Sequence, residues 1–489
     1  MIQGTGSNVG KSLLVSGLAR AFLRRGLKVM PFKPQNLSNN AAVTADGGEI
    51  GRSQALQALA ARVPASVHMN PILLKSEEGG SLQVIVQGRR LAASSLEARA
   101  DMKRNILPRV LESFAHVEAQ ADLVLVEGAG SPAETNLRRG DLANMGFAQA
   151  ANVPVILAGD VDRGGVIAAI VGTHCVLEPE DRDRIKGFLI NRFRGDVELF
   201  GEGLSDIVRR TGWPSLGIVP WFDRAADLPA EDILDLMPVA KVGKPSGAIR
   251  IVVPVLEGVS NFDDFDPLRL EPDVDLRLIH SGEALPGDAE LVVLTGSKST
   301  VADLGQFRDQ GWDIDLQAHY RRGGAILGLC GGYQMLGRAV HDPTGVEGAP
   351  GDVAGLGLLD VETVIEEDKR LAVVTGRHVE TGSPVRGYEI HLGRTDGADC
   401  ARPFLQIEGQ PAGASSPDGQ VAGCYLHGLF SSDPFREAFL GSLRKGVSQS
   451  RGDRLSHDAR VEGALDVLAD HVEAALDLDA ILSIARTRQ

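Results

Sequence analysis

The segment Gly4-Thr5-Gly6-Ser7-Asn8-Val9-Gly10-Lys11-Ser12 constrains the fold of this chain more than any other feature. Glycines let a backbone curl until successive N–H groups face one point, a geometry that suits phosphate oxygens. Such a loop works between a strand and a helix, whose N-terminus adds the positive end of its dipole. The spacing predicts that helix: Leu14, Leu18 and Phe22 share a face, and Gly26 is a C′ stop. Lys11 would reach the β- and γ-phosphates of a nucleotide, and the Ser12 hydroxyl would hold Mg²⁺. The pattern departs from the strict GxxxxGK[ST] form, because Thr5 stands at the first glycine position and Gly4 sits one earlier. Only three residues precede Gly4, fewer than a central strand usually uses. Either that strand is short or translation starts upstream.

The rest of the first half agrees with a parallel α/β layer. Short apolar runs end in Gly-rich or polar loops: Leu123–Val126 before Glu127-Gly128-Ala129-Gly130, Val155–Ala158 before Gly159-Asp160, Gly187–Ile190 before Asn191. Runs of that length, bounded in that way, suit strands buried on both faces. A second set begins near Arg250 and includes Leu291–Leu294 and Ala325–Leu329. The expected fold is α/β with two doubly wound domains. Residues 1–222 form a P-loop-like ATP-binding domain and 223–248, rich in Asp, Pro and Gly, form a linker. Residues 249–445 form the second domain and 446–489 a helical tail, in which Val461, Leu465, Leu468 and Val472 mark one amphipathic face.

Composition narrows the function classes. A net charge of −15 argues against nucleic acid as the main partner, since phosphate backbones need a basic footprint. No run of about 18 apolar residues exists, so no membrane span is expected. Four cysteines without a CxxC pair or a disulfide framework suit a reducing cytoplasm. The 58 glycines among 489 residues, with only 4% aromatics, point to many ligand-binding loops.

Metal ligands in such a layer should come from strand ends. Glu127 fits, and Asp46 in Thr44-Ala45-Asp46-Gly47-Gly48 fits from a loop, where a plain turn residue is the alternative. Lys33, also at a strand end, would neutralise a transferring phosphate, or else is a solvated lysine.

The second half carries its own constellation. Gly328-Leu329-Cys330-Gly331-Gly332 follows an apolar strand and precedes a helix, the G-x-C-x-G form of a nucleophile elbow. The glycines leave room for a tight turn, the helix N-terminus favours a thiolate, and the Gly331 N–H faces a developing oxyanion. A base is required, and His427 in Tyr425-Leu426-His427-Gly428 is the candidate. A second oxyanion donor would be Gly296 in Leu294-Thr295-Gly296-Ser297-Lys298, where a simple turn is the alternative. His391 is a second base, a substrate contact or a solvent-facing strand residue. Cys175, Cys400 and Cys424 lack elbow glycines and read as packing residues. Arg192 and Arg194 read as nucleotide or anion contacts, or as a solvated loop.

Together these segments resemble the cobyric acid synthase family over nearly the whole chain. The first half is similar to dethiobiotin-synthetase-like ATP-binding domains, through the loop 4–12, Lys33-Pro34-Gln35-Asn36 and Val126-Glu127-Gly128-Ala129-Gly130. The second half is similar to cobyrinic-type class I glutamine amidotransferases, through the Gly296, Cys330, His391 and His427 segments. The resemblance implies glutamine hydrolysis coupled to ATP–Mg²⁺-dependent amidation, with no tightly bound organic cofactor. It implies adenosylcobyrinic acid a,c-diamide as substrate, with the b, d, e and g carboxylates amidated. Arg192, Arg194 and Lys298 would then form a basic patch for an anionic corrinoid. Leu429 stands where the larger amidotransferase class has a glutamate, so a Cys–His dyad is expected, oriented by a carbonyl or another carboxylate. The alternatives are an a,c-diamide synthase, an amidating ligase for a cell-wall lipid precursor, and a P-loop switch ATPase with an inert second domain.

Overall fold

The structure is a computed structural model that describes residues 1–76, 82–91, 96–229, 248–444 and 456–487. The apolar runs of the first half pair in parallel. Val155–Asp160 lies between Ile2–Gly4 and Ile185–Phe193, with Ser215–Pro220 beyond. Val29–Phe32 pairs with Leu123–Val126, and a bridge between Ile2 and Glu127 joins both ladders into one layer. Every residue of Val155–Asp160 is buried, which is why the run is continuously apolar rather than alternating. The first strand is short, at three residues, and all are buried.

The helix Lys11–Arg24 buries Leu14, Leu18 and Phe22 and ends with Gly26 at a φ of 87°. It has a second neighbour. The helix His457–Ala475 turns Val461, Leu465, Leu468 and Val472 inward against it. The two approach so closely at Gly17 that a Cβ there would come within 2.9 Å of Val472. Arg20, 1% exposed, donates to Ala60 O at 2.7 Å and pairs with Asp466 at 2.8 Å and Glu462 at 3.0 Å. The end of the chain thus completes the core of its beginning. Of the segment read as a linker, Asp223–Asp227 is a 3₁₀ turn, followed by Leu228 in that same core. Residues 230–247 lie outside the described residues.

In the second half, strands run in the order Val274–Ile279, Ile249–Pro254, Leu291–Leu294, Ala325–Leu329, Val421–Cys424 and Ala414–Ser415, with only the last antiparallel. A long antiparallel hairpin, Glu362–His378 with Pro384–Asp396, is an addition that the sequence pattern did not reveal. Its buried and exposed residues do not alternate cleanly, so no period of two stands out. The hairpin meets the first half. Ile390 packs among Ala41, Leu73 and Ile85, and Lys369 pairs with Glu49 at 2.7 Å. Beside it the Asn261 N–H donates to Asn40 Oδ1 at 2.7 Å. Among the described residues no helix is long and apolar enough to cross a membrane.

Candidate functional site

The glycine loop sits at the end of the short first strand. Gly10 has a φ of 84°, which a glycine adopts without strain, and a Cβ there would strike Asn191 Nδ2 at 2.5 Å. Asn191 in turn donates to Val9 O at 2.8 Å, tying the loop to the neighbouring strand. Lys11, 7% exposed, lies along the loop and donates to Gly6 O at 2.9 Å and Gly130 O at 3.2 Å. At Gly4 a Cβ would meet Lys11 Nζ at 2.9 Å, so that glycine makes room for the lysine. Thr5 departs from the expected role. Its N–H goes to Ala158 O at 2.9 Å and continues the strand ladder, which leaves only its hydroxyl for a phosphate.

Glu127 is the hub of this end. Its Oε1 accepts from Ser12 Oγ at 2.9 Å and Lys33 Nζ at 2.7 Å, and its Oε2 accepts from Gln57 Nε2 at 2.5 Å. Lys33 is 4% exposed and therefore not a solvated lysine. A hydroxyl and one carboxylate beside a phosphate loop are donors that suit Mg²⁺, which binds few protein ligands and takes the rest from phosphate and water. Asp46 does not join them. It is exposed and accepts from Ser66 Oγ at 2.8 Å and Val67 N at 3.2 Å, fixing a turn instead. Its place beside Gly47 reflects turn chemistry, so Asp46 takes the turn role rather than the expected metal role.

In the second half the elbow is strained as its sequence implied. Cys330 holds a φ of 51°, a left-handed conformation uncommon outside glycine. A Cβ on Gly332 would lie 2.2 Å from Leu294 O, and one on Gly331 would lie 2.8 Å from Ser297 N. The elbow thus packs directly on the Gly296-Ser297 loop. Gly296 also faces the histidine: a Cβ there would come within 2.9 Å of His427 Cε1.

His427 is 1% exposed and stands close enough to Cys330 for the two to influence each other's charge. Its hydrogen-bond partner is a residue that no sequence motif marked. Asp264 Oδ2 accepts from His427 Nδ1 at 2.7 Å, and Asp264 Oδ1 accepts from Gly428 N at 2.6 Å. Burial opposes a charged imidazole, but the Asp264 carboxylate and a Cys330 thiolate outweigh it and push His427 up to about 10. The expected dyad is therefore a Cys–His–Asp line, with a carboxylate as the orienting group. The available sequence signal was the acid doublet Asp263-Asp264 flanked by Phe262 and Phe265, both buried, on a turn that follows a strand.

Tyr388 stacks on His427, with ring centroids 5.3 Å apart and planes at 18°. His391 stacks on Tyr425 at 3.7 Å and donates from Nδ1 to Gly393 O at 3.1 Å. Burial pushes His391 down to about 4, so it is a neutral, packed residue rather than a solvent-facing one. Cys330 Sγ lies 3.6 Å from the adjacent Ile390 O.

Among the remaining cysteines, Cys424 is buried and Cys400 half-buried, whereas Cys175 is exposed and is not a packing residue. The expected basic patch is divided. Arg194 lies 3.6 Å over the Trp221 ring and pairs with Asp162 at 2.6 Å, and Arg192 lies 3.5 Å from Asp160. Lys298 is instead drawn to the contact between the halves. There burial and the neighbouring Lys75 and Lys369 hold its amine well below the usual lysine range.

Comparison with known proteins agrees with this geometry. Residues 1–235 match the family described as CobQ/CobB/MinD/ParA nucleotide binding domain, and residues 250–435 match the CobB/CobQ-like glutamine amidotransferase domain. Fold and site therefore define a glutamine amidotransferase joined on one chain to a nucleotide-binding domain. Curated relatives extend the likeness to full length. The chain is 60% identical over 488 residues to a cobyric acid synthase of Cereibacter sphaeroides, covering 99% of each chain. It is 59% identical over 485 residues to that of a Ruegeria species, covering 99% of this chain and 98% of the relative. With the cobyric acid synthase of Bradyrhizobium diazoefficiens it shares 58% over 486 residues, 99% of each. The chain belongs to the cobyric acid synthase family, glutamine-dependent amide-forming enzymes of cobalamin biosynthesis.

Proposed function

We propose that this chain converts adenosylcobyrinic acid a,c-diamide to adenosylcobyric acid in the cytoplasm, amidating the b, d, e and g carboxylates with one glutamine and one ATP each. The observation that carries this reading is the presence on one chain of the buried Cys330, His427 and Asp264 line and the Lys11–Glu127 phosphate loop. We assign the ligase unit to residues 1–222 and the amidotransferase unit to 249–445, joined by 223–248, with the helices His457–Ala475 and Leu478–Arg486 of the tail 446–489 closing the first.

In the amidotransferase unit the Cys330 thiolate attacks the carboxamide carbon of glutamine. Backbone N–H groups of Gly331 and Gly296 hold the oxyanion. His427, charged and held by Asp264, passes its proton to the leaving nitrogen, and ammonia departs from a thioester. His427 then takes a proton from water, which attacks the thioester and releases glutamate and the thiolate.

In the ligase unit Lys11, the Thr5 hydroxyl and the amides from Gly6 to Gly10 hold the β- and γ-phosphates of ATP, while Lys33 offsets negative charge at the transferring group. A corrinoid carboxylate oxygen attacks the γ-phosphorus, the bond to ADP breaks, and an acyl phosphate forms. Ammonia attacks its acyl carbon and phosphate leaves, which completes the amide. Ser12 and Glu127 would hold Mg²⁺, whose charge steadies the phosphates. No organic cofactor is called on.

The test is incubation of the full chain with ATP, Mg²⁺, glutamine and the diamide, followed by mass spectrometry of the corrinoid. Four successive amide gains, lost in Cys330→Ala and restored by ammonia, are expected. Glutamate release without corrinoid amidation would move the reading to other carboxylates, those of the a,c-diamide synthase reaction first.

A further inference from the structure

One short helix touches both sites. Arg52–Ala60 begins at the amidotransferase end and runs toward the phosphate loop. At its first residue, Arg52 NH2 donates to Tyr388 Oη at 2.6 Å and pairs with Asp263 at 2.5 Å. One partner stands against the histidine and the other adjoins its carboxylate in the chain. Tyr388 stacks on the His427 ring, and Asp263 precedes Asp264, which accepts from His427 Nδ1. Five residues later Gln57 donates to Glu127 Oε2, the carboxylate that also holds Ser12 and Lys33. Five residues of helix span about 7.5 Å.

The contacts are built rather than incidental. Arg52 is 15% exposed in its side chain and Asp263 11%, so the pair is largely removed from solvent screening. Asn261 adds a second donor to Tyr388 Oη at 2.8 Å, and its own N–H is held by Asn40 across the contact between the halves. At the far end both oxygens of Glu127 are engaged by the chain itself. Anything that recruits Ser12 or Glu127 must compete with those bonds.

Resting on the proposed function, we infer that the helix Arg52–Ala60 couples the phosphate loop to glutamine hydrolysis, with Arg52 as a positioning residue for His427 and Asp264. Rearrangement at Glu127 shifts Gln57, the helix carries the shift to Arg52, and Arg52 resets Asp263 and Tyr388 around the imidazole. Glutamine is then hydrolysed at full rate only when the ligase end is loaded, which prevents ammonia from being released to no purpose. This is a coupling free energy between two distinct sites, and it is measurable as a ratio.

The experiment follows glutamate release by the full chain with glutamine alone and with ATP, Mg²⁺ and the diamide added. In the unsubstituted protein the loaded ligase end should raise release by at least about 5-fold. In Arg52→Ala that ratio should fall to near one, while amidation driven by added ammonia stays within about two-fold of the unsubstituted protein. Tyr388→Phe keeps the ring on His427 and removes the hydroxyl that accepts from Arg52 and Asn261. It should lower the ratio as well, and it carries the test if Arg52→Ala does not fold. Arg52→Lys, which retains charge but loses the planar donor fork, should restore the ratio only in part. An unchanged ratio in the folded variants, or no stimulation in the unsubstituted protein, overturns the coupling. Loss of both glutamate release and ammonia-driven amidation in the unsubstituted protein would instead overturn the functional reading itself.

Discussion

Asp264 and His427, 163 residues apart in sequence, meet at 2.7 Å with both side chains at 2% exposure or less. The carboxylate sets the imidazole tautomer: with Nδ1 donating to Asp264, Nε2 is the nitrogen left for the cysteine and the substrate. It also offsets the positive charge that His427 bears beside Cys330.

Asp264→Asn should therefore lower glutamine-driven amidation by about 100-fold or more, because an amide can present its NH₂ group to Nδ1 and favour the wrong tautomer. The effect should fall on kcat for glutamate release and leave ammonia-driven amidation unaffected. A loss confined to KM would count against the orienting role.

The charge on His427 predicts a pH dependence. Its pKa rises from 6.5 unfolded to about 10 folded, so between those values the folded state holds more proton. Its contribution to stability is then full below about pH 6.5 and is lost as pH rises toward 10. The stability difference between the unsubstituted protein and His427→Gln should shrink across that window in denaturant titrations. His391 has the opposite sign. Held down to about 4, it stays neutral in the fold while the unfolded chain gains a proton, so its contribution is lost as pH falls from 6.5 to 4.

At the other end, Lys11→Ala should abolish amidation with either nitrogen source, a loss of about 100-fold or more for a group that stabilises transferring charge. Glutamate release from glutamine alone should persist, since the Lys11 amine donates within the phosphate-binding end, to Gly6 O and Gly130 O. Loss of that release too would mean that the substitution had damaged the fold.

Arg20→Ala tests the closure of the first core by the end of the chain. It leaves Ala60 O without the Arg20 donor, removes one of the donors to Leu59 O and strips Glu462 and Asp466 of a partner. Those carboxylates are 33% and 40% exposed, so solvent recovers part of the loss. A destabilisation of about 2–3 kcal/mol is expected, read as a lower urea midpoint.

Much of the site was legible because its signals are local. A phosphate loop needs glycines where the chain curls, and an elbow needs glycines where neighbours approach within van der Waals distance. Both requirements act over a few residues, so Gly10, Lys11, Cys330 and Gly331 could be named before any fold was known. The same holds for the continuous apolar runs of buried parallel strands and the single apolar face of His457–Ala475. Asp46 shows the limit of such reading, because an acid beside glycine serves a turn as readily as a metal.

The residues alone marked the buried parallel strands, the amphipathic helices and the glycine loops at their ends, since strand burial, helix periodicity and glycine turns are set by near neighbours, while the hairpin Glu362–His378 with Pro384–Asp396 left no such mark. Only the tertiary structure decided that Asp264 would orient His427, that Arg52 would reach across to Tyr388 and Asp263, and that the last helices would pack on the first. Each of those choices is a contact between residues far apart in the chain. Its cost is the desolvation of charged groups, and it is repaid only once a specific partner stands within hydrogen-bond reach. No local pattern records which partner that will be.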